Sequence, residues 1–304
     1  MKFPKLKNKA ILAPMSGVTD IAFRELARKY SASLTYTEFI HSKAILHNNN
    51  KTNEMLKISK LEKPSAVQIF GNSESDILEA AKLLENKFDI IDINCGCPAY
   101  KVIKTGAGSA LLDYPDKIQS LIEKLVKEIK KPITIKIRSG VKEVNALKIA
   151  KIAEQAGIST LTLHARTQKQ GYSGTADWNL IKKVKEQANI PIIGNGDISS
   201  PEQFKEKLEF SKVDYIMIGR ASIGNPYLFQ QINDFLKTGK YKQKSKEIQF
   251  KEYLKLAIKY NLDFSQIKNQ AIYFTKGMEN SAKLRNSLVS CKNIEEIKNL
   301  FKLS

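Results

Sequence analysis

A closed parallel (β/α)8 barrel followed by a small all-helical tail is the fold class this sequence predicts, on three observations. Short β-rich apolar runs recur eight times, amphipathic stretches with helical spacing separate them, and after residue 235 the runs stop while the helical spacing continues. In chain order the runs are AILA near residue 10, LTYTEF near 34, SAVQIF near 65, DIIDIN near 89, PITIKI near 132, STLTLH near 159, IPIIGN near 190 and DYIMIG near 214. Their nearly continuous apolar character suits strands covered on both faces, as in a parallel sheet wrapped by helices. An open doubly wound sheet is the structural alternative.

Between the runs, SDILEAAKLLENK and NALKIAKIAEQAG carry helical periodicity, and the second ends in the Gly expected just past a helix C-terminus. SSPEQFKEKLE opens with Ser and Pro, a helix-start signal. KTGKYKQKSKEIQF reads as a basic, flexible connection. Beyond it QFKEYLKLAIKYNLDF, QIKNQAIYFTKGM, SAKLRNSLV and NIEEIKNLFK are helical in pattern. The chain is therefore expected to divide into a barrel, residues 1–235, and a basic helical domain, residues 241–304, without internal repeats or low-complexity tracts.

Composition narrows the function. With 42% hydrophobic residues interrupted by charge every few positions, the chain is expected to be soluble. No apolar run approaches the roughly 18 residues of a membrane span. The N-terminal apolar stretch is too short for a signal peptide, so a cytoplasmic protein with no membrane partner is expected. Three cysteines cannot build a disulfide framework, and the C-x-C pair lacks the second pair of a zinc site, so no metal is expected. The net charge of +19 makes a polyanion such as nucleic acid a candidate partner. Abundant Lys, Ile and Asn also allow simple compositional drift. The distribution favours a functional basic surface. Residues 235–304 hold 15 Lys and Arg against 6 Asp and Glu, which makes the tail about three times as basic per residue as the rest.

In such a barrel the loops at the C-terminal ends of the strands build the active site, and nearly every run here ends in unusual polar residues. The first leads into Pro14, Met15, Ser16 and Gly17, the third contains Gln68, and the fourth delivers Asn94, Cys95, Gly96, Cys97 and Pro98. The fifth carries Lys136 and Arg138, the sixth ends at His164 and Arg166, the seventh at Asn195, Gly196 and Asp197, and the eighth at Gly219 and Arg220. The glycine-rich turns after the last two suit a phosphate held by backbone N–H groups, with Arg220 beside it; such turns also occur for purely geometric reasons. Lys136 interrupts an apolar strand, so it either faces an anionic or electron-rich ligand or is a surface lysine at a strand end. His164 alone would read as a hydrogen-bonded core residue, but its place at a strand end before Arg166 favours the site. A free cysteine is commonly inert packing. Gly96 and Pro98 force an irregular turn that would expose Cys97.

At these residues the chain resembles the tRNA-dihydrouridine synthase family. APMSGVTDIAFRELARKY, VQIFGN, DINCGCPAYKVIKTGAGSALL, IKIRSG, LHARTQKQGYSG, IIGNGDI and IMIGRASIGNPYLF resemble its motifs in order, and FTKGMENSAKLRN more loosely resembles its C-terminal RNA-binding helices. The resemblance implies FMN in the barrel mouth, NADPH as reductant, tRNA as partner, and reduction of the C5=C6 bond of particular uridines. No obligatory protein partner is evident, so a monomer is expected. It implies flavin contacts at Pro14, Met15, Gln68, Lys136, His164, Asn195, Gly196, Gly219 and Arg220. Cys97 would be the acid that protonates C5 while hydride from reduced FMN adds to C6, and Lys136 would stabilise the reduced flavin. Asn94, Arg138 and Arg166, with Lys276 and Arg285 from the tail, would contact the uracil or RNA. A thiol with an ordinary pKa near about 8.5 is mostly protonated at neutral pH and can donate. A stacked base must flip outward to reach the barrel. The alternatives are a flavin barrel acting on a free pyrimidine, in the manner of dihydroorotate dehydrogenases, and a non-catalytic RNA-binding barrel. The first leaves the basic tail unexplained.

Overall fold

Side chains alternate across a strand, so each apolar run can bury one set of residues outward against helices and turn the other set inward. In the computed structural model, which describes residues 1–303, eight parallel strands do this: β1 (Ala10–Leu12), β2 (Tyr36–His41), β3 (Ala66–Phe70), β4 (Ile90–Cys95), β5 (Ile133–Arg138), β6 (Thr160–His164), β7 (Ile192–Asn195) and β8 (Tyr215–Ile218). β2 to β8 pair in sequence order, and β1 pairs with β8. The Leu12 N–H donates to the Leu34 carbonyl at 3.0 Å beside a Leu12–Thr35 bridge, which closes the ring. The expected closed barrel is the observed one, with each of the eight predicted strands in place.

Around it run α1 (Ile21–Lys29), α2 (Ser42–Leu46), α3 (Asn50–Met55), α4 (Glu74–Leu84), α5 (Tyr100–Ile103), α6 (Pro115–Glu128), α7 (Ala146–Gln155), α8 (Trp178–Gln187), α9 (Pro201–Ser211) and α10 (Leu228–Thr238). Outward strand residues such as Ile91, Ile93, Ile133, Ile135, Ile137, Leu161 and Leu163 join the apolar faces of these helices in one large core. A second, smaller cluster, including Ile11, Tyr36, Ala66, Ile90, Ile193 and Met217, fills the inside of the barrel. By alternation the remaining inward positions of β3 to β6 are Gln68, Asp92, Asn94, Thr134, Lys136, Arg138, Thr160, Thr162 and His164. One flank of the interior is therefore polar, where barrels usually stack Val, Ile and Leu. Buried polar groups without partners are costly, so this flank points to a site.

The tail forms α11 (Lys246–Lys259), α12 (Phe264–Phe274), α13 (Ser281–Ser290) and α14 (Ile294–Leu300). The stretch read as a flexible connection is partly helical. Ser245 caps α11 by accepting from the Ile248 N–H, so the helix takes up the last five residues of that stretch. Asp20, the N-cap of α1, reaches back to the tail: its carboxylate accepts from Phe23 N–H at 2.8 Å, Tyr253 Oη at 3.1 Å and Gln270 Nε2 at 3.1 Å. Gln270 also donates to the Val18 carbonyl at 2.6 Å. Gly224, at φ +62°, lets the loop after β8 meet the end of α12, where an added Cβ would lie 2.1 Å from the Tyr273 carbonyl oxygen. Gly224→Ala is therefore expected to destabilise the protein by roughly 1–3 kcal/mol, read as a fall in Tm.

Candidate active site

Parallel register sets the polar inward residues side by side. Gln68 lies opposite Asp92, Asn94 opposite Lys136, Arg138 opposite His164, and His164 opposite Asn195. Above them the strand ends open into a cavity of about 1040 Å³, lined from every strand or the loop after it. That volume holds a large cofactor with room for a second ring.

The NCGCP turn is shaped by Asn94, whose Oδ1 accepts from the N–H groups of Gly96 at 3.1 Å and Cys97 at 2.9 Å. Gly96 lies against the backbone of β5, where a Cβ would sit 3.1 Å from the Ile137 carbonyl carbon, and its own carbonyl accepts from Arg138 Nε at 3.0 Å. Ser109 closes the other side, donating to the Cys97 carbonyl from N at 3.1 Å and Oγ at 2.9 Å. The turn is thereby pinned and the half-buried Cys97 lines the cavity. Cys95, two residues earlier, faces outward into the helical core, and burial pushes its thiol up to about 12. The two cysteines share the same strand parity, and it is the turn at Gly96, beyond the end of β4, that brings Cys97 to the cavity.

Charges around the cavity act on one another. Burial and the neighbouring Arg138 bring the Lys136 ammonium down to about 8, against the pull of Asp92, and its Nζ donates to Asn195 Oδ1 at 3.2 Å. Burial, then Lys136, Arg138, Arg166 and Arg220, press His164 down to about 2, so its imidazole is neutral at pH 7. Burial also raises the Cys97 thiol above its ordinary value, although the Ala99 N–H, Arg138 and Lys136 pull the other way. The thiol therefore stays protonated at neutral pH. Neutral amide and imidazole donors, one ammonium and a protonated thiol share a wall with the apolar Ala13, Met15 and Met217. This combination suits a flat ring with apolar faces and a hydrogen-bonding edge. Arg220, half-exposed at the rim and held by Asp197 at 3.2 Å, with Ser199 and Gln203 at the start of α9, supplies anion-binding groups for a phosphate.

Of the residues expected from the sequence, Pro14, Met15, Gln68, Asn94, Cys97, Lys136, Arg138, His164, Asn195, Gly196, Gly219, Arg220 and Lys276 line this one cavity. Arg166 does not. It is 2% exposed, and its guanidinium is spent on the Ser173 and Gly174 carbonyls and on Asp197 at 2.7 Å, which makes it a brace for the loop after β6. Arg138 braces the same loop, donating to the Thr167 and Gly171 carbonyls at 2.9 and 2.8 Å while keeping one edge at the cavity. Arg285 sits on α13, away from the cavity lining.

Sequence reasoning missed Asp92, Phe39, Tyr172 and Tyr273. Tyr172, in the glycine-rich loop after β6, is an exposed ring at the cavity with the Arg220 guanidinium 4.4 Å from its centroid. An aromatic between two glycines in QGYSG was its available signal. For Asp92 the signal was an acid spaced two residues before Asn94 in an apolar run.

A profile described as dihydrouridine synthase matches residues 11–302. The tRNA-dihydrouridine synthase B of Pasteurella multocida is 44% identical over 235 residues, which is 76% of this chain and 71% of that protein. A probable tRNA-dihydrouridine synthase of Rickettsia bellii is 44% identical over 242 residues, 78% of this chain and 74% of that protein. Among solved structures, an old yellow enzyme homologue from Zymomonas mobilis superposes with a TM-score of 0.57 at 15% identity, over 80% of this chain and 93% of that one. A 2-naphthoyl-CoA reductase complex reaches 0.61 at 12% identity, over 77% of this chain and 50% of that one. These two likenesses concern the fold.

Proposed function

The chain belongs to the dihydrouridine synthase family, and on that footing we propose that it reduces the C5=C6 bond of particular uridines in tRNA, with FMN in the cavity and NADPH as reductant. The observation that carries the reading is the shared cavity: a protonated, half-buried Cys97 thiol opens into the same space as Lys136, Asn195 and neutral His164.

The residues fit FMN. Met15, Ala13 and Met217 offer apolar surface to its ring, Gln68, Lys136, His164 and Asn195 offer polar groups to its edge, and Arg220 with the first turn of α9 offers a place for its phosphate. Gly196, at φ +134°, has no room for a side chain, since a Cβ would lie 2.4 Å from Ala176 Cβ. When bound, FMN supplies the hydride that adds to C6 of uracil. Cys97 holds the proton for C5, and the pinned turn keeps its sulfur at the cavity. Uracil's C5=C6 bond is polarised by the C4 carbonyl, so an acid near C5 is the other requirement.

The tail brings Lys276 and Tyr273 to the cavity rim and seats Lys246 nearby, its Nζ on the Gly224 carbonyl at 2.8 Å. Burial, and then the adjacent Lys276, bring Lys246 down to about 8, and an anion bound beside the pair would relieve both costs. This supports residues 241–304, Arg285 among them, as a backbone-gripping surface for tRNA whose target base has flipped into the barrel. A single copy of the chain suffices for such a site, and a cytoplasmic location follows from the substrate.

The direct test incubates flavin-loaded protein with NADPH and an unmodified tRNA transcript and maps dihydrouridine by position. Its appearance at one or a few uridines is expected. Turnover of free uracil or dihydroorotate without any product in tRNA would overturn the reading in favour of the free-pyrimidine alternative. Affinity for the transcript should fall at least tenfold between about 50 and 200 mM salt. Lys276→Ala should flatten the log–log salt slope by about one.

A further inference from the structure

Beneath the Cys97 turn lies a run of buried hydrogen bonds whose base, Asp92, no step above uses. Asp92, 1% exposed, sits on β4 one inward position below Asn94. Its Oδ2 accepts from Gln68 Nε2 at 2.6 Å, and its Oδ1 accepts from the Thr134 hydroxyl. Gln68 Oε1 in turn accepts from Asn94 Nδ2 at 2.7 Å, and Asn94 Oδ1 accepts from the Gly96 and Cys97 N–H groups.

Building on the reading above, we propose that Asp92 is a positioning residue: by accepting from Gln68 it sets the direction of an amide chain, Gln68 then Asn94, that ends on the backbone of the catalytic turn. Each end of the chain allows one polarity. A carboxylate only accepts, and backbone N–H groups only donate. Asp92 is pushed up to about 6, first by burial, so at pH 7 it is mostly ionised and keeps that role. Reversing Gln68 would set its carbonyl against the carboxylate and its NH2 against the NH2 of Asn94. Two buried hydrogen bonds would become two repulsions.

The chain has a chemical consequence at the cavity wall. With one N–H of Gln68 spent on Asp92 and one N–H of Asn94 spent on Gln68, each amide keeps a second N–H and has its oxygen occupied. Both residues line the cavity, so they present donors there. A ligand held against them must offer acceptors, as the ring nitrogens and carbonyls of a flavin or a uracil do. Asp92 thus acts on the thiol and on ligand polarity without reaching either.

The test compares Asp92→Leu, which removes the acceptor at similar bulk, with Asp92→Asn, which can still turn one oxygen toward Gln68. In flavin-free protein, iodoacetamide labelling of Cys97, located by mass spectrometry, should change at least threefold in the Leu variant and much less in the Asn variant. In flavin-loaded protein, the Leu variant should lose at least tenfold in kcat at unchanged KM for tRNA, and Asn should recover most of that loss. If the Leu variant does not fold by circular dichroism, Asp92→Ala is read the same way. Wild-type labelling and kcat in the Leu variant, or equal losses in Leu and Asn, would overturn the proposal. A wild-type protein inactive on tRNA would sink the functional reading instead, and the flavin-free labelling would still decide the role of Asp92.

Discussion

Cys97→Ala should retain FMN and tRNA binding and lose about 10²- to 10⁴-fold in turnover, the range for removing a positioned general acid. The substitution is clean because Cys97 holds its turn through backbone groups. Its N–H donates to Asn94 and its carbonyl accepts from Ser109, and alanine keeps both. The side chain is half-buried and its removal leaves no cation unpaired, so stability should change by less than about 1 kcal/mol. Cys97→Ser keeps a hydroxyl at the same place, but a far weaker acid, and should fall almost as low. The measurement is single-turnover: mix pre-reduced flavoprotein with unmodified transcript under anaerobic conditions and follow flavin absorbance. Reoxidation at the wild-type rate in Cys97→Ala would remove the acid assignment. Cys95→Ala provides the control. It faces the helical core, so it should cost stability as a small cavity does and leave the proton transfer intact.

The barrel was legible because its signal is local and repeated. A run such as DIIDIN declares a strand buried on both faces, and eight such runs leave little choice of architecture. The cavity was legible for the same reason, since strand ends in this fold point to one place. What stayed hidden depends on loop conformation or on distant pairing. Arg166 and His164 look equivalent at the end of β6. Only the fold of the loop at Ser173 and Gly174 shows that its carbonyls take up the arginine. The seat of the tail rests on Asp20 and Gln270, 250 residues apart, and no local pattern announces that contact. Asp92 lies between these cases. Alternation from Asn94 places it inside the barrel, but its neighbours on β3 and β5 must be known before it becomes the base of an amide chain.

Lys136→Met should show activity and stability moving in opposite directions. In the native protein the ammonium is held at about 8, well below the ordinary lysine value, chiefly because it is buried and secondarily because Arg138 lies beside it. A base whose pKa is lowered by folding binds its proton less tightly in the folded than in the unfolded state. Stability contributed by this group therefore rises with pH between about 8 and the unfolded value, and below about 8 the charged side chain is a standing cost. Replacing it with Met should raise stability at pH 7 by something on the order of 1–3 kcal/mol, seen as a higher Tm that varies less with pH across that window than the wild type's. Turnover should fall by about 10²- to 10³-fold, as for the loss of one fixed charge at a reacting centre. In the wild type the same group predicts the alkaline limb of the kcat/KM profile. Activity should decline as pH rises through about 8, whereas the Cys97 thiol, raised above its ordinary value, keeps its proton further up the scale. Asp92 holds the ammonium charged, while burial and Arg138 oppose it, and His164 is neutral throughout. A flat profile from pH 7 to 9, or a Met variant both less stable and fully active, would show that Lys136 is a structural lysine.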